Sequence, residues 1–181
     1  MKYFLFTYLL IAPFLGFSQN NNWQEFSDEE VIMLNMNDTK AYYIEDFKFN
    51  VTWDSKFSYS NDIGYYGGIK ELRVYKSNKK IQSLYDIEDI IALGDINFRF
   101  YDYNLDGYLD FSIPISCGKS CWGKYYLYNP KSGVFERKKD WDYLRIQKID
   151  KKNKRILSVQ DGNAPNNQKT YQIKGLQLIQ L

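Results

Sequence analysis

The chain has 181 residues, of which 18% are aromatic and 25% charged, and its formal net charge at pH 7 is +2. A net charge this close to zero provides no strong field to attract nucleic acid or an anionic membrane surface. The chain contains no histidine. This excludes histidine-based catalytic triads, histidine general bases and histidine-ligated zinc.

The first 18 residues have the pattern of an export signal. Lys2 supplies a short positive region, an almost unbroken apolar run follows from Tyr3 to Phe14, and Ser18 is a small residue suited to cleavage. The run is shorter than the roughly 20 apolar residues of a membrane span, although a retained anchor is the alternative. We expect cleavage after Ser18 and export to the periplasm or the extracellular space.

About 160 residues follow the signal, which is the size of one domain. We assign residues 19–40 to a polar N-terminal segment and residues 41–181 to a single β-rich domain. Within the polar segment, Ser27 and Glu30 have the spacing of a helix capping box. The β-branched Val31 and Ile32 favour a strand at the same place. Both interpretations stay open.

Alternation of apolar and polar residues predicts strands from Ala41 onward. Residues 47–52 alternate with period two, residues 69–84 form a hairpin that turns at Ser77–Lys80, and residues 96–101 form a further strand. Residues 58–68 are rich in Gly, Asn and Asp and predict a loop. The segment 86–93 predicts either a helical turn or a buried connector.

Between two predicted strands lies an acidic loop, residues 102–110. Its oxygen-bearing side chains are Asp102, Asn104, Asp106 and Asp110, and Gly107 stands at the sixth position. Calcium loops offer oxygen ligands at positions one, three and five, and a glycine at position six permits the sharp turn. The carbonyl of Tyr108 would supply position seven and the carboxylate of Asp110 position nine.

The loop is not an EF-hand, because position twelve is Ile113 instead of glutamate and because its flanks predict strands. We therefore predict a structural Ca²⁺ site between β-strands. The alternative is an Asx-rich turn in which the acidic side chains bond to their own backbone.

The rest of the chain predicts further hairpins. Strand signals occur at residues 111–116, 124–128, 134–137, 144–149, 156–159, 170–173 and 176–181, separated by turns of Asn, Pro, Lys, Asp and Gly. Successive hairpins imply a mainly β fold built as an antiparallel meander, either a single propeller-blade-like unit or a small β-sandwich, with one calcium loop.

Cys117 and Cys121 are the two cysteines of the chain. In an exported protein such a pair predicts a structural disulfide. Free thiols or a redox pair are the alternatives, although Cys-x₃-Cys is not the Cys-x₂-Cys spacing of thioredoxin-like sites. Together with the acidic loop, a disulfide would hold the intervening strand as a rigid platform, and rigid loops bind at a lower ordering cost.

Residues 100–110, the tyrosine-rich stretch that follows and Asn129-Pro130-Lys131-Ser132-Gly133-Val134-Phe135 together resemble a family of exported bacterial proteins. The acidic loop resembles the calcium loops of FG-GAP and integrin-type propeller blades, in a single copy. The combined pattern, over residues 95–160, is similar to single-domain periplasmic proteins related to lysozyme inhibitors, some of which are immunity proteins against peptidoglycan-cleaving effectors.

The resemblance implies Ca²⁺ ligands at Asp102, Asn104, Asp106, Tyr108 and Asp110, and it implies no catalytic residue. The Cys117–Cys121 pair departs from the family pattern.

Three classes of function follow. The first is a non-enzymatic binding or inhibitor module that contacts a protein partner such as a peptidoglycan hydrolase, with Lys119, Trp122 and Lys124 as contacts to the carboxylates of a glycosidase cleft. The second is a carboxylate-pair hydrolase, which would need the same acids as the calcium loop. The third is a glycan-binding or structural envelope protein that stacks sugars on Trp53, Trp122 and Trp141. We favour the first.

Overall fold

The computed structural model describes residues 22–61, 64–85, 87, 89, 94–117, 121–159 and 167–181, and within these it leaves out the side chains of residues 60, 64, 115–117 and 121. The predicted signal peptide, most of the connector 86–93 and the turn after Asp161 lie outside the described residues. No helix in the described part of the chain is long and apolar enough to cross a membrane.

Most of the described chain is antiparallel strand, which confirms the predicted mainly β class. In chain order the strands are β1 (Gln24–Glu25), β2 (Ile32–Met36), β3 (Ala41–Ile44), β4 (Phe47–Trp53), β5 (Ser58–Ser60), β6 (Gly64–Tyr66), β7 (Ile69–Lys76), β8 (Lys79–Tyr85), β9 (Ile96–Tyr101), β10 (Asp110–Cys117), β11 (Cys121–Asn129), β12 (Val134–Arg137), β13 (Ile146–Asp150), β14 (Arg155–Val159), β15 (Gln168–Lys174) and β16 (Gln177–Gln180). Short 3₁₀ turns occur at Asp28–Glu30 and Lys139–Trp141.

These strands form three larger sheets in the described residues. The front sheet has the order β3-β4-β7-β8, the middle sheet β12-β11-β10-β9-β2, and the rear sheet β1-β13-β14-β15-β16. Strands β5 and β6 pair with each other as a separate ribbon, which we call the tyrosine hairpin. The segment before Ala41 therefore belongs to the sheets, since β1 and β2 supply edge strands of two of them.

Two buried clusters stack the sheets in three layers. In the first cluster, Phe49 and Val74 of the front sheet pack with Phe98 and Phe111 of the middle sheet. In the second, Tyr125 of the middle sheet packs with residues of the rear sheet and with Trp141, which is fully buried. Both faces of the middle sheet are covered, which gives its strands buried residues on each side. The arrangement is a layered form of the predicted small β-sandwich.

Pro114 lies within the central strand β10, where a residue without an N–H is hard to place. Its neighbour on one side is Gly123 of β11, and the ladder to β9 on the other side ends at Ser112. The register of the β10–β11 pair also shifts between Pro114 and Ser116. Strand β10 therefore accommodates Pro114 because the β9 ladder has already ended there and because the pairing with β11 is irregular beside it.

Candidate functional site

The acidic loop connects β9 to β10 at one end of the middle sheet. Gly107 has φ +90° and no atom lies within 4 Å of the position of a Cβ, so its backbone conformation and not crowding favours glycine there. Leu105 also has a positive φ, of 57°. The predicted sharp turn at the glycine is confirmed.

Three side chains of the loop bond to its own backbone. The Asp102 carboxylate accepts hydrogen bonds from the amides of Asp106 (2.9 Å) and Gly107 (2.8 Å). Asn104 Oδ1 accepts from the Asp106 amide at 3.2 Å, and Asp106 Oδ1 accepts from the Tyr108 amide at 3.0 Å. This pattern is that of the Asx-rich turn, the alternative to calcium.

Asp110 ties the loop to the sheet from inside the protein. Its fully buried carboxylate accepts from the amide of Tyr128 at 2.7 Å on one oxygen, and from those of Tyr103 (2.9 Å) and Asn104 (3.3 Å) on the other. Burial raises the pKa of Asp110 well above its usual value, the neighbouring carboxylates add to this, and the backbone amides oppose it.

The loop offers the oxygen ligands of a Ca²⁺ site. In this structure, however, its side-chain oxygens accept hydrogen bonds from backbone amides. Every predicted ligand offers oxygen, the donor that calcium prefers, and a carboxylate oxygen that accepts one hydrogen bond keeps a second lone pair. Among the described residues, no three aspartate, glutamate, cysteine or histidine side chains converge on a common point as a metal cluster. Calcium binding by Asp102, Asn104, Asp106, Tyr108 and Asp110 therefore stays a prediction.

The opposite end of β10 leads into the cysteine hairpin. Its backbone register places Cys117 opposite Cys121 as neighbours on adjacent strands. The two cysteine side chains, and Lys119 in the turn, lie outside the described residues, so the disulfide stays a prediction.

The other two predicted partner contacts, Trp122 and Lys124, have different surroundings. Trp122 is half-buried and lines a cleft. Lys124 is fully buried, which is incompatible with a contact to a partner at the surface. Burial, together with the positive charge of Arg137, lowers the pKa of Lys124 to about 8, and Asp142 opposes this shift. Lys124 pairs with Ile113, which belongs to the first cluster, so Lys124 lies on the face covered by the front sheet. Alternation does not separate Trp122 from Lys124, because they are two positions apart on β11. The register shift between Pro114 and Ser116 lies opposite Gly123 and Trp122.

The cleft has a volume of about 550 Å³ and opens between the middle and rear sheets. One row of residues crosses its floor on adjacent strands: Met33 opposes Arg99, Arg99 opposes Ser112, and Ser112 opposes Tyr125. Residues opposed in this way share one face of the sheet. Arg145, just before the rear-sheet strand β13, and Trp122 also line the cleft.

The sequence reasoning missed Arg99 and Arg145 as site residues. Alternation with Phe98 and Phe100 placed Arg99 on the opposite face of β9 from the first cluster. Alternation along one strand gives no information about the packing of other sheets. It therefore could not predict that the rear sheet leaves part of the Arg99 face of the middle sheet open as a cleft.

The tyrosine hairpin was also missed, because residues 58–68 were predicted to be a loop. It continues from the end of the β4–β7 pair, where the Asp54 amide donates a 2.7 Å hydrogen bond to the Gly68 carbonyl. Tyr59 and Tyr65 face each other across the ribbon, with ring centroids 5.2 Å apart in an edge-on arrangement. Their exposed fractions are 63% and 61%.

The tryptophans proposed to stack sugars do not share a surface. Trp141 is fully buried, and its indole N–H donates to the Leu176 carbonyl at 3.0 Å. Trp53 packs against the first cluster and donates to the Asp38 carbonyl at 3.1 Å. Trp122 alone of the three lines the cleft.

The chain matches no protein-family model, no curated protein and no solved structure. The likeness to lysozyme inhibitors thus depends on the residues of the acidic loop and of the strands that follow it.

Proposed function

We propose that this protein is an exported, non-enzymatic binding module that uses the tyrosine hairpin to contact a protein partner. The main support for this function is the exposed Tyr59–Tyr65 pair, which lies on a ribbon outside the three larger sheets. The two side chains contact each other across their own ribbon, but they contribute to neither buried cluster and leave most of their surface exposed to solvent.

The composition of the hairpin supports a protein-binding role. Residues 57–68 read Phe-Ser-Tyr-Ser-Asn-Asp-Ile-Gly-Tyr-Tyr-Gly-Gly. Tyr, Ser, Gly and Asn are the residues enriched in antibody binding loops, where tyrosine offers a large contact area at a low cost in side-chain entropy. Interfaces are likewise enriched in tyrosine.

A peptidoglycan hydrolase of the lysozyme type is the partner that we propose. Its cleft contains a pair of carboxylates. The hydroxyls of Tyr59 and Tyr65 can donate hydrogen bonds to such groups, and Lys56 adds a positive charge beside the hairpin. The family resemblance implies the same partner class.

The two alternatives have less support. The predicted acids of a carboxylate-pair hydrolase, Asp102, Asp106 and Asp110, accept hydrogen bonds from the backbone of their own loop or from β11. A glycan-binding surface would lose Trp141, which is buried.

We further propose that Ca²⁺ binds the acidic loop and stabilises it. The charges that act on Asp110 are those of Asp106 and Asp102, which have the same sign. A divalent cation would neutralise this repulsion with the oxygen ligands that it prefers. Calcium would then support the fold and take no part in chemistry.

Binding of the whole protein to purified lysozyme-like hydrolases tests the proposed function. We expect a stable complex, with the Tyr59→Ser, Tyr65→Ser double variant weakened by about 30-fold or more, the loss typical of an interface hot spot. The matched control is Tyr43→Ser, Tyr85→Ser, which removes equally exposed tyrosines from the front sheet. Equal losses in both double variants, or no complex with any hydrolase, would contradict the proposal.

A further inference from the structure

We infer that the cleft between the middle and rear sheets is a second binding site, separate from the tyrosine hairpin, for a small organic carboxylate with an apolar body. The inference is independent of the proposed partner. It is based on the charge, the walls and the size of the cleft.

The charge of the cleft lining favours an anion. Two of its three charged lining residues are arginines, Arg99 and Arg145, and the third is Asp28. A guanidinium presents its N–H groups in a planar fork that matches the two oxygens of a carboxylate.

The contact that orients Arg99 is a single ion pair, whose acidic partner has a side chain that is 64% exposed. One terminal nitrogen of Arg99 pairs with Asp28, which orients the guanidinium at the edge of the cleft. Its side chain is 33% exposed, so solvent reaches part of it. An ion pair this exposed to solvent restrains the guanidinium only weakly, so a ligand carboxylate can compete with Asp28 for it.

The hydroxyl groups on the floor of the cleft are already engaged. Tyr103 Oη and Ser112 Oγ share a 3.0 Å hydrogen bond, and the Tyr125 hydroxyl donates to the Leu144 carbonyl at 3.0 Å. Recognition of a ligand thus depends on the arginines more than on these hydroxyls. The amide side chains of Asn97 and Gln147 also line the cleft and can bond to the uncharged part of a ligand, while the two arginines favour a charged acceptor.

The walls of the cleft suit an apolar body. Trp122, Met33, Phe26, Pro114 and Ile146 line it together with the polar residues. Small-molecule sites are mostly apolar with a few polar groups and have volumes of about 300–1,000 Å³. A volume of about 550 Å³ falls within this range. It admits an aromatic or branched aliphatic acid and not a folded protein.

Titration of the ¹⁵N-labelled protein with N-acetyl-phenylalanine and phenylacetate, followed by NMR, tests the inference. The indole N–H signal of Trp122, assigned with Trp122→Phe, reports on the cleft. We expect saturable shifts of this signal and of cleft amides, and binding of N-acetyl-phenylalaninamide weaker by about tenfold or more because it lacks the charge. Tighter binding of N-acetyl-phenylalanine would point to a peptide terminus, and tighter binding of phenylacetate to a free acid.

Four variants refine the test. Arg145→Gln and Arg99→Gln should each weaken carboxylate binding by about tenfold, the loss of one charge-assisted contact. Arg73→Gln on the front sheet removes a partly exposed arginine elsewhere and should have no effect. Arg99→Lys keeps the charge for the contact with Asp28, in case Arg99→Gln perturbs the fold.

Equal binding of acid and amide, or no shift of cleft signals with either acid at about 20 mM, where ligands of millimolar affinity would be nearly saturated, would overturn the inference. The Tyr59→Ser, Tyr65→Ser variant should bind the acids like the wild type. If no hydrolase binds the tyrosine hairpin, the cleft should still bind the acids. If the cleft binds no acid, the tyrosine hairpin can still bind a hydrolase.

Discussion

The carboxylate of Asp110 accepts a 2.7 Å hydrogen bond from the backbone amide of Tyr128, a residue 18 positions later in the chain. The same carboxylate accepts from two amides of the acidic loop. A single buried side chain therefore connects the loop to β11 of the middle sheet. Its loss would free both ends of this connection.

Asp110→Ala should destabilise the protein more than Asp106→Ala. The first change removes the carboxylate that accepts from the buried Asn104 and Tyr128 amides, at a cost of about 1–3 kcal/mol for each that water cannot reach. The Tyr103 amide keeps a 3.0 Å hydrogen bond to the Tyr101 carbonyl. Asp106 is partly exposed and bonds within the loop, so its loss should cost about 1 kcal/mol. Urea unfolding measures both free energies. Losses of equal size would show that the link to β11 contributes little.

Calcium should raise the melting temperature of the protein from which residues 1–18, the predicted signal peptide, have been removed. A ligand at 100 times its dissociation constant adds about 2.7 kcal/mol to the free energy of unfolding. Melting curves in excess Ca²⁺ and in chelator, with Mg²⁺ as the control cation, measure the shift. We expect Asp106→Ala to abolish it. Identical curves in calcium and chelator would identify the loop as an Asx-rich turn alone.

Asp89 should make stability fall as the pH rises from about 4 to about 7. Burial raises the pKa of its carboxyl to about 7, although the amides of Ile69 and of Asp89 itself oppose the shift. Neither carboxylate oxygen has a hydrogen bond of normal geometry. In the unfolded chain the same group titrates near 3.9. Between these values the folded protein retains a proton that the unfolded chain releases, so the contribution is complete below about pH 4 and lost through about pH 7.

Asp89→Asn measures this contribution, because the other titrating groups are common to both proteins. Unfolding free energies at pH 4, 6 and 8 should decline in the wild type by about 2–4 kcal/mol more than in the variant. The same pH dependence in both proteins would show that Asp89 ionises in the folded state as easily as in the unfolded chain.

Local patterns predicted much of the fold. The alternation in residues 96–101 and the turn signal of residues 129–133 correspond to β9 and to the β11–β12 turn. In the undecided segment a three-residue 3₁₀ turn at Asp28–Glu30, without the suggested side-chain cap from Ser27, precedes β2. These strands and turns are determined by residues that are close in the chain. A short stretch of sequence is therefore enough to predict them.

Long-range pairing was not predictable in the same way. Strand β2 pairs with β9, and β1 pairs with β13 across more than a hundred residues. Lys124 illustrates the consequence for the site. Its charge and its loop-proximal position suggested a surface contact, but the front sheet covers its face of β11. Arg145 joins the cleft only because the rear sheet packs on the middle sheet.

The rate of peptidoglycan cleavage by a lysozyme-like hydrolase, measured as this protein is added, shows whether the tyrosine hairpin blocks the hydrolase cleft. If the tyrosine hairpin occupies the hydrolase cleft, cleavage should stop near a one-to-one ratio of the two proteins. The Tyr59→Ser, Tyr65→Ser variant should inhibit far less, and the Tyr43→Ser, Tyr85→Ser control should inhibit fully. Undiminished cleavage at saturating concentrations of the protein, across a panel of such hydrolases, would show that the tyrosine hairpin does not block a hydrolase cleft.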